Sequence, residues 1–286
     1  MTEFILICII AHVLGDFYLQ TDHMAESKRK DWRKLLLHGA VYGIPFLLPF
    51  VFLRYSFDLL LSVGLMILSH LLLDLLKFIL TLSLRRGSGR WSMIRSKGFL
   101  YVVDQLLHLT AILLLSNLLT GTDIGFYGWL EQLAGRMPFT AVQLIRWSLL
   151  LLVIYRPVNI TIHQLFSDFK PVTRKELMGK DMPKLMAATL RVEEVSNEAE
   201  EVEYVVDKLV KDKKAGAIIG FLERLIIVIF VSLQQYAAIG LVLTAKSIVR
   251  YDRIAKDQEF SEYYLIGTLF SLISALVLYY AVFLEL

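Results

Sequence analysis

A chain of 286 residues that is 56% hydrophobic, with a mean hydropathy of +0.59 and repeated apolar stretches of bilayer-crossing length, reads as a polytopic membrane protein. Its formal charge of +3 arises from 30 basic and 27 acidic residues, and the basic ones gather in connecting segments, which speaks against a nucleic-acid partner. The single cysteine, Cys8, lies inside the first apolar run, so neither an intramolecular disulfide nor a thiolate metal cage is available.

In chain order, the apolar runs predict spans at about 2–19, 36–53, 57–82, 99–119 and 139–155, then a polar stretch at 166–214 and further runs at about 217–244 and 263–284. The first run has no basic residue ahead of it and no small-residue cleavage site after it, so it is expected to be a retained helix. Lys28, Arg29, Lys30, Arg33 and Lys34 crowd the first connection, and Arg85, Arg86, Arg90, Arg95 and Lys97 crowd the third. The second holds only Arg54 and the fourth only Arg136. The positive-inside rule then places the N-terminus outside a bacterial cytoplasmic membrane and the basic connections inside. A cysteine introduced at Ser88 is therefore expected to be shielded from impermeant thiol reagents added outside, and one at Thr122 to react, in a Cys8→Ser background. Reversed labelling would overturn this topology. Seven simple spans would leave Lys246, Arg250, Arg253 and Lys256 outside, whereas a re-entrant hairpin at 217–244, with Gln234 and Gln235 near its middle, would return them to the cytoplasm.

The polar stretch contains "RVEEVSNEAEEVEYVVDKLVKDKK", whose apolar Val192, Val195, Ala199, Val202, Val206, Leu209 and Val210 recur at helical spacing. It reads as a cytoplasmic amphipathic helix, either packed on its own protein or docking a regulator. The expected fold class is an all-α polytopic transmembrane bundle of about six to eight segments with a cytoplasmic helical insertion. Residues 1–120 would form a four-helix domain, 121–165 a loop and fifth helix, 166–214 the insertion, and 215–286 the C-terminal membrane helices.

The segment "HVLGDFYLQ" places His12, Asp16 and Gln20 on one helical stripe of the first span. His38 enters the second span. "HLLLDLLKF" sets His70, Asp74 and Lys77 on one face of the third, and "DQLLHL" sets Asp104 and His108 four apart on the fourth. Topology puts all of these in the cytoplasmic half of the membrane. Each ionisable group costs about 2.5–3.5 kcal/mol at a helix centre, so they should face one another and not lipid. Imidazoles and carboxylates in pairs four residues apart suit zinc, manganese or iron. His12, Asp16, His38, His70, Asp74, Asp104 and His108 are the candidate ligands of one or two ions, some of them able to act as orienting partners instead. A structural or proton-relaying polar cluster is the competing reading. The related patterns His12-x-Leu14-x-Asp16 and His70-x-Leu72-x-Asp74 also hint at a duplicated hairpin.

"AHVLGDFYLQTDHMAESK", the histidine of "LLLHGAVYG", "SHLLLDLLK" and "DQLLHL" resemble the uncharacterised bacterial membrane family catalogued as domain of unknown function 3307, over about residues 3–120. The later "GAIIGFLER", "AKSIVR" and "EYYLIGTLFS" resemble the C-terminal part of longer members. The resemblance implies a bacterial cytoplasmic membrane and the importance of these polar positions, and no activity. A more distant likeness in pattern is to membrane-bound metal-dependent hydrolases.

In the C-terminal half, Glu223 and Arg224 sit within an apolar run, either neutralising each other or finding separate partners, and Lys246, Arg250 and Arg253 form a basic stripe expected to meet lipid headgroups or an anionic substrate group. Arg156, Asn159 and His163, after the fifth span, could frame a cavity, with Pro157 turning the chain. No phosphate-binding glycine loop, nucleophile elbow or HExxH motif occurs. The residues therefore point to a metal-dependent hydrolase or transferase acting on a lipid or lipid-linked substrate at the inner leaflet. A metal-activated water would attack a phosphoester, ester or amide while Asp104 or Asp16 takes a proton and Lys77 steadies an anionic group. An ion- or proton-coupled transporter and a structural or regulatory membrane subunit are the alternatives.

Overall fold

The computed structural model describes residues 2–86, 97–119, 126–136, 138–166 and 216–284. The basic connection around Ser88, the loop at Thr122 and the 166–214 segment, apart from Phe166, lie outside the described residues. The chain divides into two compact units, one of residues 1–165 with 278–286 and the other of residues 166–277.

The first unit begins with α1 (Thr2–Val13), which passes directly into a single π-helical stretch at Leu14–Leu19. Thr21 caps the short α2 (Asp22–Ser27) by accepting the Met24 N–H, and Asp31 caps α3 (Trp32–Gly43) by accepting the Arg33 N–H. Pro45 and Pro49 have no N–H to give, and each opens a new helical piece, a 3₁₀ turn at Pro45–Leu47 and then α4 (Leu48–Phe52). The second sequence-predicted span is thus a segmented one, and it starts four residues earlier than the apolar run suggests because Asp31 sets its cap. Helices α5 (Phe57–Arg86), α6 (Lys97–Leu119), α7 (Gly128–Ala134) and α8 (Ala141–Phe166) follow.

Helix α5 is inside-out relative to a soluble protein. Leu60, Leu61, Leu68, Leu72, Leu75, Leu76, Ile79 and Leu80 are exposed on it, while His70 and Asp74 are buried. An exposed apolar surface around a polar interior is the arrangement a lipid solvent selects. Among the described residues, five helices are long and apolar enough to cross a membrane: 32–52 taken as one, 57–82, 98–117, 141–166 and 258–283. Helix α1 lies against α6, the π-helical stretch against α3, and α3 and α6 against α5. Phe4, Ile7, Cys8, Ala11, Tyr42, Phe46, Leu59, Val63, Met66 and Ile112 fill the space between them. A bridge between Leu53 and Phe126 joins the connections at the other end of these helices, supported by the Arg54 Nε–H donating to the Phe126 carbonyl at 3.2 Å.

Helix α8 runs unbroken through the buried Pro157 and ends at Phe166. The expectation that the fifth span stops near 155 is corrected, since the helix continues to Phe166. A proline costs a helix one hydrogen bond, and surrounding packing overrides that cost here.

The second unit contains helix α9 at 216–232, a break at 233–235 where Gln234 adopts φ 58°, and α10 (Tyr236–Val249). Lys246 Nζ and Glu223 Oε2 meet at 2.6 Å across that break. A continuous helix would hold residues 23 positions apart by about 34 Å, so the ion pair requires the chain to double back. This doubling back is what the hairpin alternative requires. Glu223 and Arg224 find separate partners: Arg224 Nη1 donates to Ser271 Oγ at 3.3 Å in α12 (Gln258–Phe283), which follows the short α11 (Tyr251–Lys256). The basic stripe also meets this unit's own rings, Lys246 and Arg250 over Tyr264 and Arg253 over Phe260 at 3.9 Å.

Candidate functional site

All seven histidines and carboxylates singled out in the first four spans come together inside the first unit. His12 arrives from the end of α1, Asp16 from the π-helical stretch, His38 from α3, His70 and Asp74 from α5, and Asp104 and His108 from α6. The five of them that are most enclosed, His12, His38, His70, Asp74 and His108, are at most 4% exposed. They form three overlapping trios whose ligand-type atoms lie within 4.8 Å of one another: His12–Asp16–His70, His38–His70–Asp74 and Asp74–Asp104–His108. His70 belongs to the first two and Asp74 to the last two.

The tightest convergence is around the Nε2 atoms of His38 and His70, 3.2 Å apart. Asp16 Oδ1 lies 3.2 Å from the first and 3.5 Å from the second, and Asp74 Oδ2 lies 3.4 and 3.6 Å from them. Four atoms around a tetrahedral ion with bonds of about 2.0–2.1 Å stand about 3.3–3.4 Å apart, and these five separations bracket that value. A set of N–H···O bonds would be shorter and aligned. Instead Asp16 Oδ1 is buried without an aligned donor. His108 adds a further feature: its Nδ1 donates to the Asp104 carbonyl at 2.7 Å, a partner that can only accept, so in the neutral ring the buried Nε2 keeps its lone pair and has no partner.

Charge balance around the centre is incomplete. Lys28, at the end of α2, reaches in to place Nζ 2.8 Å from Asp74 Oδ2, and Lys77 Nζ lies 2.5 Å from Asp104 Oδ2. The ionic partners of Asp16 among the described residues are the imidazoles of His38 and His70. With neutral histidines, three carboxylates against two ammonium groups leave one negative charge in a low-dielectric interior. A bound cation or a protonated imidazole would offset it.

Tyr42 supports the cluster and was not singled out by sequence, although it stands four residues after His38 on the same helix. Its ring stacks on His70 at 3.4 Å between centroids, tilted by 8°, and its hydroxyl meets His12 Nδ1 at 3.1 Å. Gly15 makes this position open to it: a Cβ there would lie 2.6 Å from Tyr42 Cδ2 and 3.3 Å from Tyr42 Cα. Gly15→Ala is expected to destabilise the protein by about 1–3 kcal/mol, the range for overpacking a filled interior, and to disturb His70 through the displaced ring. A thermal unfolding midpoint equal to that of the wild type would contradict this.

A cavity of about 510 Å³ opens beside the cluster, with Asp16 and Asp104 in its wall. Gln20 and Gln105 line it too, the latter with Nε2 3.5 Å from both Asp16 Oδ2 and Asp104 Oδ2. Arg156, Asn159 and His163 also line it, from one face of α8 rather than from a segment beyond it. Lys28 and Arg29 complete the wall from the first connection, where sequence gave them only a topological role. At the rim, Lys30 lies 2.7 Å from Glu26 and holds that exposed carboxyl below its ordinary range.

Comparison with curated proteins and with solved structures gave no match. A family profile described as "Protein of unknown function (DUF3307)" does match, over residues 4–135, the stretch that supplies all seven clustered histidines and carboxylates together with Tyr42 and Lys28. Residues 4–135 are thus similar to that family of unknown function.

Proposed function

We propose that the His/Asp cluster is a divalent transition-metal centre, of zinc, manganese or iron and of one or two ions, in a membrane hydrolase or transferase. The observation that carries the reading is the 3.2 Å approach of His38 Nε2 and His70 Nε2, with Asp16 Oδ1 and Asp74 Oδ2 each 3.2–3.6 Å from both. These four residues would hold the first ion, and His12, Asp104 and His108 would complete a second position or orient the first. When bound, such a metal lowers the pKa of a coordinated water to about 7 and polarises the oxygen under attack.

The chain's own residues supply the rest. Asp104 and Asp16 reach the cavity wall, so either carboxylate can take a proton from an incoming nucleophile. Lys77, held 2.5 Å from Asp104, lines the same cavity and would steady an anionic group there. The enclosing α1, α3, α5 and α6 keep bulk water from the histidines. The lipid or lipid-linked substrate enters from the cytoplasmic leaflet, the side on which the basic connections place this end of the helices. With α9 and α10 as a re-entrant hairpin, Lys246, Arg250, Arg253 and Lys256 return to that side as well.

A second reading, ion- or proton-coupled transport, draws support from the interrupted helices beside the cluster, the π-helical stretch holding Asp16 and the proline-opened pieces after α3. Elemental analysis of protein purified without a polyhistidine tag or chelators tests the shared premise. Near-stoichiometric transition metal is expected, and folded protein that stays metal-free under metal-replete growth would refute the metal centre.

A further inference from the structure

Among the described residues, the cations in the wall of the cavity beside the cluster differ in how they are paired. Lys28 and Lys77 in its wall are spent on Asp74 and Asp104. Arg156 is different. Its Nη1 donates to the Tyr18 carbonyl at 3.3 Å, and its guanidinium carbon lies 5.8 Å from the centre of the Tyr18 ring. Tyr18 is anchored in turn by its hydroxyl donating to the Leu152 carbonyl at 2.8 Å, one turn before Arg156 on the same helix. Neither contact neutralises the charge, and no carboxylate among the described residues pairs with this guanidinium.

The positioning has a local cause. The π-helical stretch ends at Leu19 and the chain turns extended at Gln20, so the carbonyls of its last turn have no helical N–H ahead of them. Arg156 takes one of these carbonyls with one nitrogen, and the aromatic face fixes the plane of the fork. The same helix break leaves the Gln20 side-chain oxygen buried in the cavity wall without a donor. Exposed Arg29 stands at the rim.

We infer that this cavity seats a phosphate group, with the Arg156 fork as its anchor and Gln20 accepting a neighbouring hydroxyl of the same ligand. Arginine forks recognise phosphate through paired charge-assisted hydrogen bonds, and the volume is in the range of pockets that enclose a ligand of headgroup size. The inference rests on the proposed function in one respect, that the ligand so held is the substrate of the neighbouring centre. The phosphate is that of a lipid headgroup or a free phosphate, and the shared chemistry is what Arg156 reads.

The test uses full-length protein in detergent, first metal-loaded and then stripped with chelator, titrated separately with dihexanoyl phosphatidic acid, inorganic phosphate and dihexanoylglycerol. Saturable binding of phosphatidic acid is expected, with dihexanoylglycerol at least tenfold weaker. Inorganic phosphate that competes would identify the phosphate alone as sufficient, and phosphatidic acid binding without such competition would identify the lipid headgroup; both support the site. Arg156→Gln retains an N–H for the Tyr18 carbonyl and removes the charge, and it should weaken phosphatidic acid binding by tenfold or more. If that variant does not fold, phosphatidic acid should still protect Arg156 of the wild type from phenylglyoxal. Absence of binding by both phosphate-bearing probes, equal binding of dihexanoylglycerol, an unchanged affinity in Arg156→Gln, or an unprotected Arg156 at saturating ligand would each overturn the site. Phosphate binding that survives in protein shown to take up no metal would uphold this site while the metal reading falls. Metal-replete protein that binds neither phosphate probe would do the reverse.

Discussion

Replacing His70 with alanine is expected to empty the cluster of metal while leaving the helices in place. His70 belongs to two of the three trios, and its Nε2 lies within 3.6 Å of His38 Nε2, Asp16 Oδ1 and Asp74 Oδ2. Loss of a residue that only orients a ligand typically lowers metal affinity by about 10–100-fold, so removing a ligand of the first ion should lower it by more than about 100-fold. Elemental analysis of the purified variant would read this directly. His23→Ala is the matched control: this histidine is exposed on α2 and lies outside every trio, and its removal should leave the metal content unchanged. A His70→Ala protein that folds and retains the wild-type metal content would exclude the cluster as the binding site.

Asp104→Asn should separate enzyme from transporter. The substitution preserves size and leaves untouched the backbone carbonyl that receives the His108 Nδ1–H, so the imidazole stays oriented. It removes the charge that faces Lys77 at 2.5 Å and reaches the cavity wall. A general base contributes about 10²–10⁴-fold, and activity should fall by that order with the fold retained. Comparing lipid extracts of cells with and without the protein supplies the readout: a covalently altered lipid produced by the wild type should be missing from the variant. An unaltered lipid profile combined with Asp104-dependent metal or proton flux across proteoliposomes would replace the enzyme by the transporter.

The ion pairs set a limit on how these variants should be read. Lys28 is 12% exposed at its side chain and Asp74 3%, so their pairing is largely desolvated, and removing either partner leaves an uncompensated charge. Loss of metal in a Lys28 or Asp74 variant would therefore report on folding as much as on ligation. His70 and Asp104 are the cleaner probes, the first because its replacement removes no formal charge, the second because asparagine retains its hydrogen-bonding shape.

Sequence by itself determined the helical class and the polar positions. Residues that cost several kcal/mol in lipid must face inward, so His12, Asp16, His38, His70, Asp74, Asp104 and His108 could be assigned to one interior from spacing and depth alone. Tertiary structure decided what no spacing encodes. Lys28 enters the cluster from a basic connection whose composition matches any topological signal, and its role depends on where α2 folds back against α3. Tyr42 supports His70 only because Gly15 on a neighbouring element leaves room for its ring. Asn159 and His163 join Arg156 on one face of the cavity wall because α8 continues through Pro157, where a local rule stops the helix and packing overrides it. The reversal of the chain between α9 and α10 shows in Glu223 meeting Lys246 across the turn at Gln234. Each is a contact between residues distant in the chain. Local pattern reports which side chains avoid lipid, and only the packed fold selects which partner each one meets.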